Sequence, residues 1–152
     1  MSRFSDLLRR GEFVITADLT SSTGIDTSGI LNQLTSVGHL VDAVILGSRD
    51  DSNSVSASAV GLIPIILANG LDPILNVDCR DRNRIALQSD MIAASILGVE
   101  NIVCVTGDMF VGHEYDDIAT VFDVGSTELI QIASNLSNGT DVIGSDITNP
   151  PK

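Results

Sequence analysis

Positive charge is scarce in this 152-residue chain, where eight Lys and Arg stand against twenty Asp and Glu for a formal net charge of -12. That balance argues against a nucleic-acid surface, which needs a basic stripe to displace counterions from phosphates. From Ile85 to Pro151 there is no Lys or Arg, so any anionic ligand must be met by arginines of the first half or by backbone N–H groups. Aromatic residues make up 3% of the chain and Trp is absent, which leaves an aliphatic core of the kind that parallel strands bury between helices. Two cysteines, Cys79 and Cys104, are too few for a disulfide scaffold or a four-ligand zinc site, and both fall in apolar runs that predict buried free thiols. No export-type leader and no run long enough to span a bilayer are found, so a cytoplasmic location is expected, away from membranes. Neither GxGxxG nor GxxxxGK[ST] occurs, and a dinucleotide Rossmann turn and a P-loop are both unsupported.

What is present is alternation. A short polar helix is predicted at Ser5 to Arg10, then a strand over Glu12 to Leu19, where "EFVITADL" alternates. Asp26 or Thr27 can cap a helix running to about Leu40, and "DAVILGS" reads as a second strand. A helix from about Val55 to Asn69 follows, with Pro64 expected to kink or divide it near Val60. "DPILNVDC" is a third strand, "NRIALQSDMIAASILG" a helix, "NIVCVTGD" a fourth strand, and "STELIQIASNLSNG" a last helix capped by Ser126. Four strand–helix units with no doubled strand imply right-handed crossovers and a parallel sheet. The fold class is therefore α/β in one domain of four βα units, either half of an eight-stranded barrel or a small open sheet.

In both arrangements chemistry gathers at the carboxyl ends of the strands. The residues leaving those ends are Asp18, Ser48 and Arg49, Asp78 to Arg84, and Thr106-Gly107-Asp108. The stretch "CRDRNR" holds three of the eight basic residues. Arg82 and Arg84 lie at or just before a helix start, where the helix dipole disfavours cations, so a compensating anion is expected. A bound phosphate fits that place; surface ion pairs of Arg80, Arg82 and Arg84 with nearby acids are the alternative. His113 is a lone loop histidine.

The block "CRDRNRIALQSDMIAASILGVENIVCVTGD", Cys79 to Asp108, closely resembles the third helix and fourth strand of methylenetetrahydrofolate reductases. Further segments resemble the family in order: "ITADL", "VDAVILGS", "NGLDPILNVDC" and "VFDVGSTELIQIA", spanning roughly Glu12 to Lys152. Those enzymes are (β/α)8 TIM barrels that use FAD to reduce methylenetetrahydrofolate to methyltetrahydrofolate. The resemblance implies hydride passing from NAD(P)H to FAD and on to the folate substrate, in one-carbon and methionine metabolism. It implies Asp18 as general acid, where the family carries Glu, and Asp108 beside the flavin. Asn76, Thr106, Gly107 and the arginines Arg82 and Arg84 are the remaining expected FAD contacts. The chain departs from the family pattern at Ser21 and Ser22, where prolines are usual, at "NVDC" in place of "HLTC", and at Gly47 and Ser48. The closing "GSDITNPPK" resembles the linker before the family's fifth strand, so the expectation is a truncated barrel completed by a homo-oligomer or a second chain. A non-catalytic half-barrel binding module and a decayed remnant stand as the alternatives.

Overall fold

The computed structural model describes residues 2–47, 55–110 and 117–151. Its elements, in chain order, are α1 (Arg3–Arg9), β1 (Thr16–Leu19), α2 (Ser28–Val37) with a 3-10 turn at Gly38–Leu40, β2 (Ala43–Leu46) and α3 (Ala59–Ala68). There follow β3 (Asp72–Asp78), α4 (Arg84–Ile96), β4 (Asn101–Val105) and α5 (Ser126–Ser137). The four strands form one parallel sheet in the order β1-β2-β3-β4, and the chain is α/β as its pattern predicts. Each strand lies beside the one before it, so crossovers of one hand stack the helices on one face. That arrangement is consistent with half of a βα barrel. A doubly wound sheet would reverse its strand order at a switch point, and none occurs among the described strands.

Alternation along each strand then sorts side chains between two faces. Leu19, Val44, Leu46, Leu75 and Val77 point toward the helices and join Ile30, Leu34, Ile63, Ile66, Leu87, Met91, Leu129 and Ile132 in one aliphatic core. Burying each such side chain contributes about 1.5–3 kcal/mol, which is how a chain with few aromatics holds a packed interior. The opposite face carries Asp18, Ile45, Ile74, Asn76, Asp78, Val103 and Val105, and no helix of the described residues is packed on it.

Several element boundaries differ from the sequence reading. β1 starts at Thr16, not Glu12, because β2 offers partners only from Ala43 onward; Phe13 before it is 89% exposed. The first helix begins at Arg3, capped by Ser2, whose hydroxyl accepts from the Ser5 N–H at 3.1 Å. α3 starts at Ala59 and runs undivided through Pro64, which falls in its second turn on an exposed position. Pro64 has no N–H to offer the Val60 carbonyl in the helix's first turn, so that one intrahelical bond is lost while the helix continues. α5 is capped at Gly125, not Ser126: Glu128 accepts from the Gly125 N–H at 3.0 Å, and Thr106 Oγ1 accepts from the Ser126 N–H at 3.3 Å.

α1 closes the amino end of the sheet with a set of polar contacts, and none of its residues is fully buried. Asp72 at the start of β3 accepts from the Phe4 N–H at 2.7 Å. Asn101 at the start of β4 accepts from the Ser5 hydroxyl at 2.7 Å and donates to the Ser2 hydroxyl at 2.9 Å. Asp42, just before β2, accepts from Arg3 at 3.1 Å and from the Ile15 N–H at 3.0 Å. No helix among the described residues is long and apolar enough to cross a membrane.

Candidate functional site

The carboxyl end of the sheet is built from the turns that leave β1, β3 and β4. After β1 the backbone of Thr20 is clamped by Gln33 of α2, whose amide accepts from Thr20 N–H at 3.0 Å and donates to its carbonyl at 3.2 Å. The next turn is tied across to the α3 approach, where Ala57 N–H donates to the Ser22 carbonyl at 2.7 Å. Asp18 therefore sits on a fixed strand end, exposed on the uncovered face and in register with Ile45.

After β3 the chain makes a tight turn. Asp78 accepts from the Arg80 N–H at 2.6 Å, and its carboxylate lies against Gly107 at the end of β4. A Cβ at residue 107 would stand 2.3 Å from an Asp78 oxygen, and φ there is +85°, so only glycine satisfies both the space and the backbone. This is a close approach of two strand ends on the uncovered face. Asn76, two residues earlier on that face, buries its side-chain oxygen with no hydrogen-bond partner among the described residues, as does Ser21 with its hydroxyl. Buried acceptors are nearly always paired, so this one is open to a donor from outside the described residues, water included. Asn76 and Asp78 also border a polar cavity of about 130 Å³ reached by Gly47, Ser58, Ala59, Arg82 and Asp90.

The three arginines of "CRDRNR" have separate fates. Arg80 is 2% exposed, forks onto Asp81 at 2.7 and 3.0 Å, and lies 4.1 Å from the Phe110 ring centre. Arg82 pairs with Asp90 one and a half turns into α4. Arg84 donates to both carboxylate oxygens of Asp123, at 2.7 and 2.9 Å, and to its carbonyl at 3.2 Å. The side-chain bonds from Arg84, followed by its backbone N–H, hold the Asp123 carboxyl down at about 2. The ion-pair alternative is thus seen for each arginine, and α4 is capped independently by Asn83, which accepts from Ile85 and Ala86.

Of the residues singled out in the sequence, Asp18 and Asn76 share the uncovered face, with Gly107 beside Asp78 at its upper rim. Asp108 is exposed, and its carbonyl accepts from Arg80 at 3.4 Å. Thr106 turns away toward α5, exchanging contacts with the Ser126 hydroxyl and N–H. Arg84 likewise faces the α5 approach. Ser48, Arg49 and His113 lie outside the described residues. Burial raises the Cys79 thiol, with the charges of Asp78 and Glu128 adding to it, and burial raises Cys104. Both are free thiols, Cys79 buried and Cys104 half-buried, and neither is primed as a nucleophile. Sequence reading left Gln33 and Asp123 without roles, and gave Arg80 only the part of an ion-pair member. A partner for Asp123 was hidden by its 39-residue separation from Arg84. No protein-family model matches the chain, and no curated protein matches it in sequence.

Proposed function

We propose that the carboxyl edge of this sheet is half of a flavin site of the methylenetetrahydrofolate reductase type. Its reaction would reduce methylenetetrahydrofolate to methyltetrahydrofolate at the expense of NAD(P)H. The observation that carries the reading is the buried Asn76 oxygen, without a partner among the described residues, on the same uncovered face as Asp18, beside the rim where Gly107 leaves no room for a side chain. An acceptor without a donor fits a ligand ring bearing N–H groups. FAD, when bound, supplies the hydride transfer between nicotinamide and folate.

The chain's own residues would orient and polarise. Asn76 and Gly107 line the ligand face, Asp108 sets a negative field at its rim, and Asp18 delivers a proton to the folate substrate as general acid. Arg82 and Arg84 reach an anion only by releasing Asp90 and Asp123. That cost favours a second reading, a half-barrel that binds a flavin or pterin without turnover. In either case the uncovered face needs more strands to enclose the ligand.

The visible absorption of the purified chain, followed by titration with FAD, tests the reading. Asn76→Leu should weaken FAD about tenfold, the share of one hydrogen bond. The same change should leave stability level or raise it by about 1 kcal/mol, since it removes an unsatisfied buried acceptor. Flavin affinity indifferent to Asn76→Leu would end this assignment.

A further inference from the structure

We propose that Arg80 is the positioning residue of this edge, holding the Gly107 to Phe110 segment so that Asp108 meets the ligand in one fixed pose. The inference rests on the flavin reading above and names the residue that would make its rim rigid. Arg80 grips three stretches of chain at once. Its backbone N–H donates to Asp78, whose carboxylate abuts Gly107, and its carbonyl accepts from the Val121 N–H at 2.6 Å. Its guanidinium donates to the Asp108 carbonyl at 3.4 Å and packs on Phe110 while Asp81 neutralises it from the other side.

Burying a guanidinium is costly, and an apolar side chain of similar volume would fill the space with less desolvation. What an apolar residue cannot do is join a carboxylate, a carbonyl and an aromatic face with one planar group. Lysine cannot either, because it offers a single point charge. The choice of arginine therefore fits a geometric requirement at the turn after β4, not a requirement for bulk. Asp81, which accepts from the Arg80 guanidinium at 2.7 and 3.0 Å, lies next to it in sequence, so the pair is local to the turn that leaves β3.

Two measurements on the full chain test this. Hydrogen exchange should rise about tenfold at Gly107 to Phe110 in both Arg80→Lys and Arg80→Met, while α1, β1 and β2 keep their protection. Unchanged exchange in that segment, or a uniform rise across the sheet, overturns the proposal. The second readout is a double-mutant cycle on FAD affinity with Asp108→Asn. Arg80→Met and Asp108→Asn should each weaken binding about tenfold, and together about tenfold again in place of a hundredfold, because Arg80 acts through residue 108. Additive losses overturn the positioning role. A wild-type chain that binds no flavin overturns the flavin reading and with it the ligand-facing purpose of Arg80, and the exchange result then separately decides its hold on the loop.

Discussion

The two ends of the same four strands are built on opposite principles. At the amino end, Asp42, Asp72 and Asn101 each meet a partner on α1 or the β1 approach, so the polar groups there are satisfied within the chain. At the carboxyl end, Asp18 is exposed, Asn76 buries an acceptor that no described residue meets, and Gly107 is pressed against a carboxylate. Satisfied polar contacts hold structure together, whereas unsatisfied and crowded ones are kept where they serve something else. In sheets of parallel strands that division follows the direction of the chain: the amino end reads as stability and the carboxyl end as chemistry.

The sharpest way to break the comparison is to crowd the carboxyl end further. Gly107→Ala should cost about 2–4 kcal/mol, combining a left-handed backbone with the clash against Asp78. The urea midpoint should fall at constant m-value. Adding Asp78→Ala should return the part due to the clash and leave the backbone part, which separates the two causes. Stability unchanged in Gly107→Ala would mean that the two strand ends do not meet as described. At the other end, Asp72→Ala removes the acceptor of the Phe4 N–H and should cost about 1–3 kcal/mol. The comparison requires that this loss leave FAD affinity untouched, and a matching loss of binding would dissolve the distinction between the ends.

How much of this was legible beforehand differs between the same two regions. The alternation of apolar runs and caps gave the four βα units, because hydrophobic period is a local property. The strand ends at Asp18, Asp78 and Thr106 to Asp108 could be read for the same reason. The amino-end clasp could not: "RFSDLLR" reads as a polar helix, and nothing local says that its N–H groups face Asp72, 68 residues away. The arginine cluster was conspicuous for its charge, yet its meaning depended on tertiary partners. Arg80, preceding two more visible arginines, became the buried one because it alone lies between the ends of β3 and β4. The cap of α5 was misplaced for a related reason, since Thr106 from another strand serves the Ser126 N–H.

The smallest expected effect belongs to the acid range and to the outer rim of the carboxyl end, where Arg84 holds Asp123. Its carboxyl is lowered from the ordinary 3.8 to about 2, so the folded state binds this proton less readily than the unfolded chain does. The stability it contributes is fully present above the ordinary carboxylate value and is lost as pH falls toward 2. Asp123→Asn removes the charge but keeps an oxygen for the Arg84 N–H, which isolates the ionic part. Its urea midpoint should lie slightly below that of the wild type at neutral pH and converge with it between about 4 and 2. The pair is solvent-exposed, with side chains 44% and 30% accessible, so added salt should close the same gap at neutral pH. A gap that persisted at both low pH and high salt would show that Asp123 acts through its hydrogen-bond geometry and not its charge. It would then belong with Asp42 and Asp72 among the structural clasps, and the outer rim would have to be counted with the stabilising end of the sheet.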